Sequence, residues 1–417
     1  MGTLPKIAFR NILRNKRRTF FSAITIAAGL ILLIYMDSVM EGMNRAGIDN
    51  MIDLSTSSVK LNTTEYYEHK KSLPLKYGIM NLPEIKNFVK NESMAKGITP
   101  RTKFLGELSN YSESIPVQGT VIAPQTDKQV FTISKNIIGK YFSQNSQNQI
   151  ILGKTLAKDL DVTNGDYITL YALTKFDTHN ADEFEIIGLL NTTDPNINNN
   201  SVIITYEAAN VFLDLENLIT EIDISFERPV QYKKLISKVN ILKRKLENQF
   251  PQLTTKSFLE LGASFLEISK QKKVFGFVFM IVILLIAAVG IFNSVLMSVY
   301  ERIREIGILL AHGFRRFEIT FLFMWEGLII GFLGSSLGIL LGIIFNYFLV
   351  TNGMAMDKMV KDIDMGGIPV WGTIYGTWNI GLMIFAFIFG ILVSVLASII
   401  PARKAAKMQI NRILRFE

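Results

Sequence analysis

The residues with the most recognisable chemical pattern are Gly153, Lys154 and Thr155, which read Gly-Lys-Thr like the end of an ATP-binding P-loop. A P-loop also needs a glycine five positions before this Gly-Lys pair, because its backbone N–H groups wrap the phosphates. Asn148 occupies that position. The segment ILGKTLAKDLDVTNGDYITL is better explained as a strand, a short helix from Lys154, an Asn-Gly-Asp turn and a second strand. We therefore expect any ATP to be hydrolysed by a separate subunit.

Few other residues have the types and spacing that catalysis or metal binding requires. The histidines are His69, His179 and His312, and none has a second histidine or a carboxylate at metal-ligand spacing. The sequence has no nucleophile elbow, and it has no cysteine for disulfides or thiolate chemistry. We predict a chain without catalytic residues, without a metal site and without a cofactor of its own.

Four long uncharged segments are the main feature of this chain, which is 49% hydrophobic. They are residues 20–36, 274–300, 327–356 and the run that ends at Ala402. A bilayer core takes about 20 apolar helical residues, and a central charge costs about 2.5–3.5 kcal/mol. A soluble protein would need several buried helices that are apolar on every face. The sequence therefore predicts an α-helical membrane protein with four transmembrane helices.

Basic residues predict how these segments are oriented. They are Lys6, Arg10, Arg14, Lys16, Arg17 and Arg18 before the first segment, Arg302, Arg304, Arg315 and Arg316 after the second, and Arg403, Lys404, Lys407, Arg412 and Arg415 after the last. The loop at residues 357–364 is slightly acidic instead. The positive-inside rule then places both termini in the cytoplasm.

Three regions follow from this orientation. Residues 1–45 are a cytoplasmic helix and the first transmembrane helix. Residues 46–270 are a large extracytoplasmic α+β domain with a helical stalk, between the first and second spans. Residues 271–417 are the last three transmembrane helices, with a cytoplasmic helix at about 301–313 and a cytoplasmic tail. No nucleic-acid partner is expected.

Residues 300–319, YERIREIGILLAHGFRRFEI, predict a short amphipathic helix on the cytoplasmic side. Ile303, Ile306 and Leu310 recur at helical spacing, and Gly313 ends the run. Such a helix either lies on the lipid headgroups or docks into a groove of a soluble partner. For docking, Glu305 is the expected polar anchor beside the apolar contacts.

The third apolar segment carries a stripe of glycines. Intervals of four residues place small residues along one side of a helix, where a second helix can approach closely. The predicted packing residues are Gly327, Gly331, Gly334, Gly338 and Gly342. Glu326 and Asp37 are ionisable residues near the ends of spans, and both a functional and a structural role stay open for them.

The run YERIREIGILLAHG resembles the coupling segment of the MacB/FtsX/LolC-LolE family of ABC transporter permeases, whose ER..EIG...A.G pattern contacts the ATPase subunit. The stretches IAFRNILRNKRRTFFSAITIAAGL, ILGKTLAKDLDVTNGDYITL with EFEIIGLL, and WEGLIIGFLGSSLGILLG are similar to further parts of that family. The tail PARKAAKMQINRILRFE is also similar, although Ile410 stands where the family has proline. The resemblance implies that the ATPase-coupling residues are Arg302, Arg304, Glu305, Ile306, Gly307 and Gly313.

The stretch IYMDSVMEGMNRAGIDNMIDLSTSSVKL resembles the lipoprotein-releasing branch. This implies a permease of the bacterial inner membrane that extracts lipid-anchored proteins from the outer leaflet and passes them to a periplasmic carrier. Two ATPase subunits would bind ATP and Mg²⁺, and a second permease subunit is expected because four spans are too few to enclose a path. Residues 171–182 occupy the position of the carrier-binding hairpin but are short, so we expect a reduced hook or none. The alternatives are an exporter subunit for peptides or amphiphiles and a regulator of an external hydrolase.

A lipid-anchored cargo needs an apolar surface close to the outer leaflet, since each buried methylene contributes about 0.8 kcal/mol. The outer halves of the first two spans supply apolar residues, and the flexible thioethers of methionine repack around different cargoes. The alternative is that these residues only pack a dimer interface. The expected lipid-entry residues are Ile34, Val39, Met40, Met43, Phe265, Ile268, Phe275 and Phe279.

Overall fold

The computed structural model describes residues 4–92, 95–143, 146, 148–192, 194–227, 232–355 and 373–407. These residues form two compact units. The helical unit contains Met1–Asn44, Ser269–Met356 and Thr373–Glu417, and the sheet domain contains Arg45–Ile268. The predicted division at residues 45 and 270 stays a prediction. The acidic loop at residues 357–364 and the tail residues Ile410, Arg412 and Arg415 lie outside the described part of the chain.

Long helices form the helical unit, and short ones accompany the strands of the sheet domain. In chain order the α-helices are α1 (Leu4–Arg14), α2 (Lys16–Met51), α3 (Thr64–Glu68), α4 (Leu82–Asn91), α5 (Pro124–Val130), α6 (Lys154–Asp159), α7 (Pro195–Asn200), α8 (Tyr206–Phe212), α9 (Tyr232–Gln249), α10 (Phe258–Leu261), α11 (Ala263–Glu301), α12 (Ile303–Ala311), α13 (Arg316–Asn352) and α14 (Ile380–Ala406). Both unit boundaries fall inside helices, in α2 and in α11.

Three helical segments among the described residues are long and apolar enough to cross a membrane. They are Thr19–Thr56, Arg316–Asn352 and Ile380–Lys404. Helix α11 covers the remaining predicted span, but its apolar stretch, Val274–Gly290, is shorter than the other three. The structure thus supports three of the four predicted transmembrane helices, and the count of four stays a prediction.

The sheet domain is built on one ten-stranded mixed sheet. Its strands are β1 (Val59–Thr63), β2 (Ala95–Ser109), β3 (Ser114–Ile122), β4 (Ile137–Gly139), β5 (Gln149–Gly153), β6 (Tyr167–Leu173), β7 (His179–Leu190), β8 (Ser201–Thr205), β9 (Glu221–Phe226) and β10 (Leu253–Ser257). Their order is β10-β1-β9-β2-β3-β8-β5-β7-β4, and β6 pairs with both β2 and β7. Within the helical unit, β11 (Met354–Ala355) and β12 (Thr373–Ile374) form a small antiparallel pair.

Two of the apolar cores of the sheet domain contain helices α8 and α9. One contains Phe104, Phe184 and Phe212 from strands β2 and β7 and helix α8. The other packs helix α9 on strands β1 and β9. Helix α9 buries Leu235, Val239, Leu242 and Leu246, whose spacing places them on one helical face.

A buried ion cluster also joins strands β1, β9 and β2. Lys60 Nζ lies 2.6 Å from Glu221 Oε2 and 3.6 Å from Asp223 Oδ1. Arg101 donates hydrogen bonds to both carboxylate oxygens of Asp127, at 2.7 and 3.1 Å. Burial alone would raise the pKa of the Glu221 carboxyl, but neighbouring lysines lower it to about 2. Removing one member would leave a buried charge unpaired, so these pairs help to fix the alignment of the strands.

The Gly-Lys-Thr segment folds as the sequence predicts. Strand β5 ends at Gly153, helix α6 begins directly at Lys154, and β6 follows after the turn. No loop separates the strand from the helix. A Cβ atom on Gly153 would collide with backbone atoms of Ile197 and Asn198 in helix α7. The glycine therefore serves a close backbone approach rather than a phosphate loop.

Candidate functional site

Helix α1 packs against the start of helix α13 through one of its faces. Leu4, Ala8, Asn11 and Ile12 are buried, and this spacing puts them on one side of the helix. Leu4 and Ala8 share an apolar cluster with Leu322 of α13. The opposite face is exposed and carries both basic and apolar side chains, which are Lys6, Phe9, Arg10 and Leu13.

The predicted coupling helix is α12, and it packs with its apolar stripe against its own chain. Ile303, Ile306 and Gly307 are buried, and Ile306 joins a cluster with Ile319 and Phe323 of α13. These residues are therefore not available to a partner in this structure. The exposed face of α12 presents other residues, which are Arg304, Ile308, Ala311 and His312. Gly313 follows the helix with φ +91° and open space around it.

Five side chains from α1, α12, α13 and the end of α11 form what we call the Arg302 cluster: Asn11, Arg14, Arg302, Glu305 and Glu326. Arg302 donates one hydrogen bond to Glu326 at 2.7 Å and one to Glu305 at 2.7 Å. Asn11 Nδ2 donates to Glu326 Oε1 at 2.8 Å, and Arg14 pairs with Glu305. The cluster therefore ties α12 to both α1 and α13.

The central pair of this cluster is buried, which makes it expensive to break. The side chains of Arg302 and Glu326 are only 7% and 4% exposed. Burial alone would lower the pKa of Arg302, but attraction to Glu326 and hydrogen bonds to both carboxylates raise it. Burial likewise opposes the charge of Glu305, yet hydrogen bonds from Arg302 and Arg14 lower its pKa. Arg302 and Glu305 are therefore held in their charged forms.

The cluster changes the expected role of Glu305. Both of its carboxylate oxygens already accept hydrogen bonds within the chain, one from Arg14 and one from Arg302. Among the predicted coupling residues, Arg304 is the one whose charged side chain lies on the exposed face. Sequence reasoning missed Asn11 and Arg14. Glu326 could have indicated this ion pair from the sequence, because an acidic residue within a span needs a partner such as Arg302.

The glycine stripe of α13 packs within this chain, against two different helices. Gly327 and Gly331 face Ser394 and Ser398 of α14, and the Ser394 hydroxyl donates to the Gly327 carbonyl at 2.6 Å. Further along, three glycines face helix α2. They are Gly334 against Ala23 and Ile26, Gly338 against Ala27 and Leu30, and Gly342 against Ile34. Each contact places two helix backbones close together.

We expect Gly338→Leu to prevent stable folding of the helical unit. A Cβ atom there would lie 3.0 Å from Ala27 Cα and from Leu30 Cβ, so the helices would have to separate. Overpacking of this kind costs about 1–3 kcal/mol or more. The measurement is the yield of monodisperse protein and its thermal midpoint. Gly381→Leu is the matched control, because Gly381 in α14 has only Asn379 Oδ1 at 3.6 Å. Equal losses for both variants would contradict the packing role.

A cavity of about 280 Å³ lies between helices α2, α11 and α14. We call it the Met40 groove. Its lining residues are Leu33, Met36, Asp37, Met40, Glu41, Gly276, Phe277, Phe279, Ile283, Asn379 and Leu382. Most of them are apolar, and Asn379 Nδ2 donates a hydrogen bond to Asp37 Oδ2 at 3.1 Å. Met40 lies roughly 35 Å along helix α2 from its start beside the Arg302 cluster.

The structure brings only part of the predicted lipid-entry set together. Met40 and Phe279 line the groove, and Met40 Sδ would lie 3.0 Å from a Cβ atom on Gly276. Ile34 and Val39 are buried, and Ile34 packs against Gly342.

The other predicted lipid-entry residues lie elsewhere. Phe275 is 66% exposed and does not line the groove. Met43 is half-buried, and Ile268 is exposed. Phe265 packs on Gly47 within the sheet domain. Asp37, Glu41 and Asn379, which directly precedes α14, were not predicted as part of this site.

Comparisons with known proteins match both units. The MacB-like periplasmic core domain family matches residues 19–240, and the FtsX-like permease C-terminal family matches residues 277–410. The lipoprotein-releasing system transmembrane protein LolE of Haemophilus influenzae is 24% identical, over 94% of this chain and 93% of its own length. The macrolide export protein MacB of Bdellovibrio bacteriovorus is 21% identical, over 98% of this chain and 61% of its own length. The solved periplasmic region of MacB from Actinobacillus actinomycetemcomitans matches with a TM-score of 0.36 and 13% identity, over 52% of this chain and 96% of that one.

Proposed function

Because this chain belongs to the FtsX- and MacB-type family of ABC transporter permeases, we propose that it extracts lipid-anchored proteins from a bacterial inner membrane. A separate ATPase would supply the energy, and a soluble periplasmic carrier would receive the cargo. In this proposal both termini are cytoplasmic, and α11 supplies a fourth transmembrane helix.

The Met40 groove is the observation that carries this proposal. It is an apolar cavity bounded by two membrane-type helices, α2 and α14, and by α11. A lipid anchor that leaves the bilayer gains about 0.8 kcal/mol for each methylene it buries again. Met36 and Met40 give the groove an adaptable wall, as a site for differently acylated cargoes requires. Asp37 and Glu41 also line the groove, beside this apolar wall.

Coupling to the ATPase is assigned to the exposed face of α12. Arg304 and Ile308 are exposed there, and the Arg302 cluster holds the helix against α1 and α13. A helix fixed in this way transmits a push from a docked subunit to the helices behind it. Two ATPase subunits and a second permease subunit, identical or different, would complete the transporter.

An exporter of peptides or amphiphiles is the second candidate, since MacB matches this chain at an identity close to that of LolE. The same groove would then take a free amphiphile. A deletion strain that becomes sensitive to such compounds, and that localises its lipoproteins normally, would favour the exporter. Copurification with a wall hydrolase and no transport defect would favour a regulatory role instead.

We expect a cysteine at position 40 to capture the lipid-anchored cargo. The natural sequence has no cysteine, so Met40→Cys can carry the only photoreactive maleimide probe. The adduct should form when ATP is absent and disappear when ATP is added, because hydrolysis releases the cargo. Phe317→Cys is the control, since Phe317 is 62% exposed and lies in the first turn of α13, away from the groove. Equal capture at both positions, or none at Met40→Cys, would refute lateral entry at the groove.

The hairpin at residues 171–182 is expected not to bind the carrier strongly. Strands β6 and β7 pair up to Leu173 and His179, and the turn between them is closed by a hydrogen bond from Thr174 N to Thr178 O at 2.8 Å. Phe176 is the exposed aromatic residue of this tight turn, with 60% exposure. A photoreactive residue at Phe176 should give no more carrier adduct than one at Tyr111, which is also exposed. A strong adduct confined to Phe176 would overturn this prediction.

A further inference from the structure

The sheet domain contains a second cavity, of about 320 Å³, with a cationic lining. Helix α4 contributes Lys86 and Lys90, strand β2 contributes Lys96, and helix α5 contributes Gln129 at the edge. Val89 and Ile98 form an apolar floor. We call this cavity the lysine groove. No carboxylate is among the described residues that line it.

The backbone is shaped to place these charges together. Strand β2 has a bulge between Ala95 and Gly97, where the pairing with β9 shifts and leaves Lys96 as the extra residue. Bulges redirect side chains and are frequent beside functional sites. Gly97 allows helix α5 to come close, since a Cβ atom there would lie 2.9 Å from Gln129 Cβ. The bulge in strand β2 therefore determines the position of Lys96.

Three like charges around one cavity are unfavourable without a ligand. Lys86 and Lys90 are four residues apart on α4, where like charges repel each other. An anion in the lysine groove would remove this repulsion.

We propose that the lysine groove binds a phosphate-bearing ligand. Lysine offers a point charge that binds phosphate, and no carboxylate is among the described residues that line the groove beside these three ammonium groups. The double negative charge of a phosphate monoester suits three ammonium groups. The ligand is either a free phosphorylated solute or a phospholipid headgroup that ends in a phosphate monoester, and the same three lysines serve both. This site is independent of the function proposed above.

The test measures phosphate binding by the full chain in nanodiscs of phosphatidylcholine. Isothermal titration with pyrophosphate, and separately with glycerol 1-phosphate, should show saturable binding that weakens as sodium chloride rises. The variant Lys86→Gln/Lys90→Gln/Lys96→Gln should bind both probes roughly tenfold or more weakly. Tighter binding of glycerol 1-phosphate would assign a lipid headgroup, and tighter binding of pyrophosphate a free solute; either result supports the site.

A matched control separates this site from general attraction to a basic protein. Lys154→Gln/Lys158→Gln neutralises another exposed pair four residues apart, on helix α6 of the same domain, and should leave the affinity unchanged. The proposal is overturned if neither probe binds the natural protein. It is also overturned if the triple variant and the control lose affinity to the same extent.

Discussion

Replacing Glu326 by leucine should destabilise the helical unit by about 3–5 kcal/mol, because it leaves the buried guanidinium of Arg302 without its main partner. The two side chains are 2.7 Å apart and both nearly inaccessible to solvent. Asn11 would lose its acceptor in the same substitution, so α1 would loosen as well. The direct measurement is unfolding of the purified permease by heat or denaturant. Arg316→Met is the control, since Arg316 is exposed at the start of the same helix.

A double variant makes this prediction sharper. Arg302→Met/Glu326→Leu removes both charges, and replacing a buried ion pair by apolar groups of similar size is often neutral. The double variant should therefore be more stable than either single variant. If Glu326→Leu unfolds like the natural protein, the Arg302 cluster does not hold these helices together.

Two variants of the permease, reconstituted with its ATPase, distinguish the residues that hold α12 in place from those that contact the ATPase. Glu326→Leu should reduce cargo-stimulated ATP hydrolysis together with stability. Arg304→Glu changes the charge on the exposed face of α12, so it should abolish the stimulation while lowering stability less than Glu326→Leu does. Normal stimulation in Arg304→Glu would place the docking surface elsewhere.

Met40→Asp should weaken cargo binding roughly 100-fold, since a charge placed in an apolar membrane site costs about 2.5–3.5 kcal/mol. The new carboxylate would also lie beside Asp37 and Glu41, which repel it. The measurement is retention of an acylated protein by the reconstituted permease without ATP, followed by its release to the carrier on ATP addition.

Phe275→Asp is the matched control for this substitution. Phe275 lies on α11 near Phe279 but does not line the Met40 groove, and it is 66% exposed. Both variants put one aspartate into a long apolar helix, so their effects on folding are comparable. Equal loss of cargo binding would show that the groove is not the site of the lipid anchor. Loss of cargo binding in Met40→Asp alone would support the Met40 groove as the lipid site, in place of the larger set of lipid-entry residues predicted from the sequence.

Local patterns in the sequence were enough to predict the principal elements. Apolar length predicted the spans at residues 20–36, 327–356 and before Ala402, because the transfer cost of a charge depends on the segment itself. The spacing of Gly327 to Gly342 predicted a packing stripe. Because Asn148 stands in place of the first P-loop glycine, the sequence predicted that Lys154 begins an ordinary helix, and the structure confirms this. The fourth span and the orientation of the termini stay predictions.

Only the tertiary structure decided which face of each element meets which neighbour. Amphipathic spacing showed that α12 has an apolar side, but it could not show that Ile306 packs against the chain's own α13. Glu305 and Glu326 each acquire one further partner from α1, and Asn11 and Glu326 are 315 residues apart in sequence. Tertiary contacts also separate the predicted lipid-entry residues from one another. Met40 and Phe279 line one cavity, whereas Ile34 faces a glycine of α13. Periodicity describes one element at a time, and a site of this kind is made by contacts between elements that are distant along the chain.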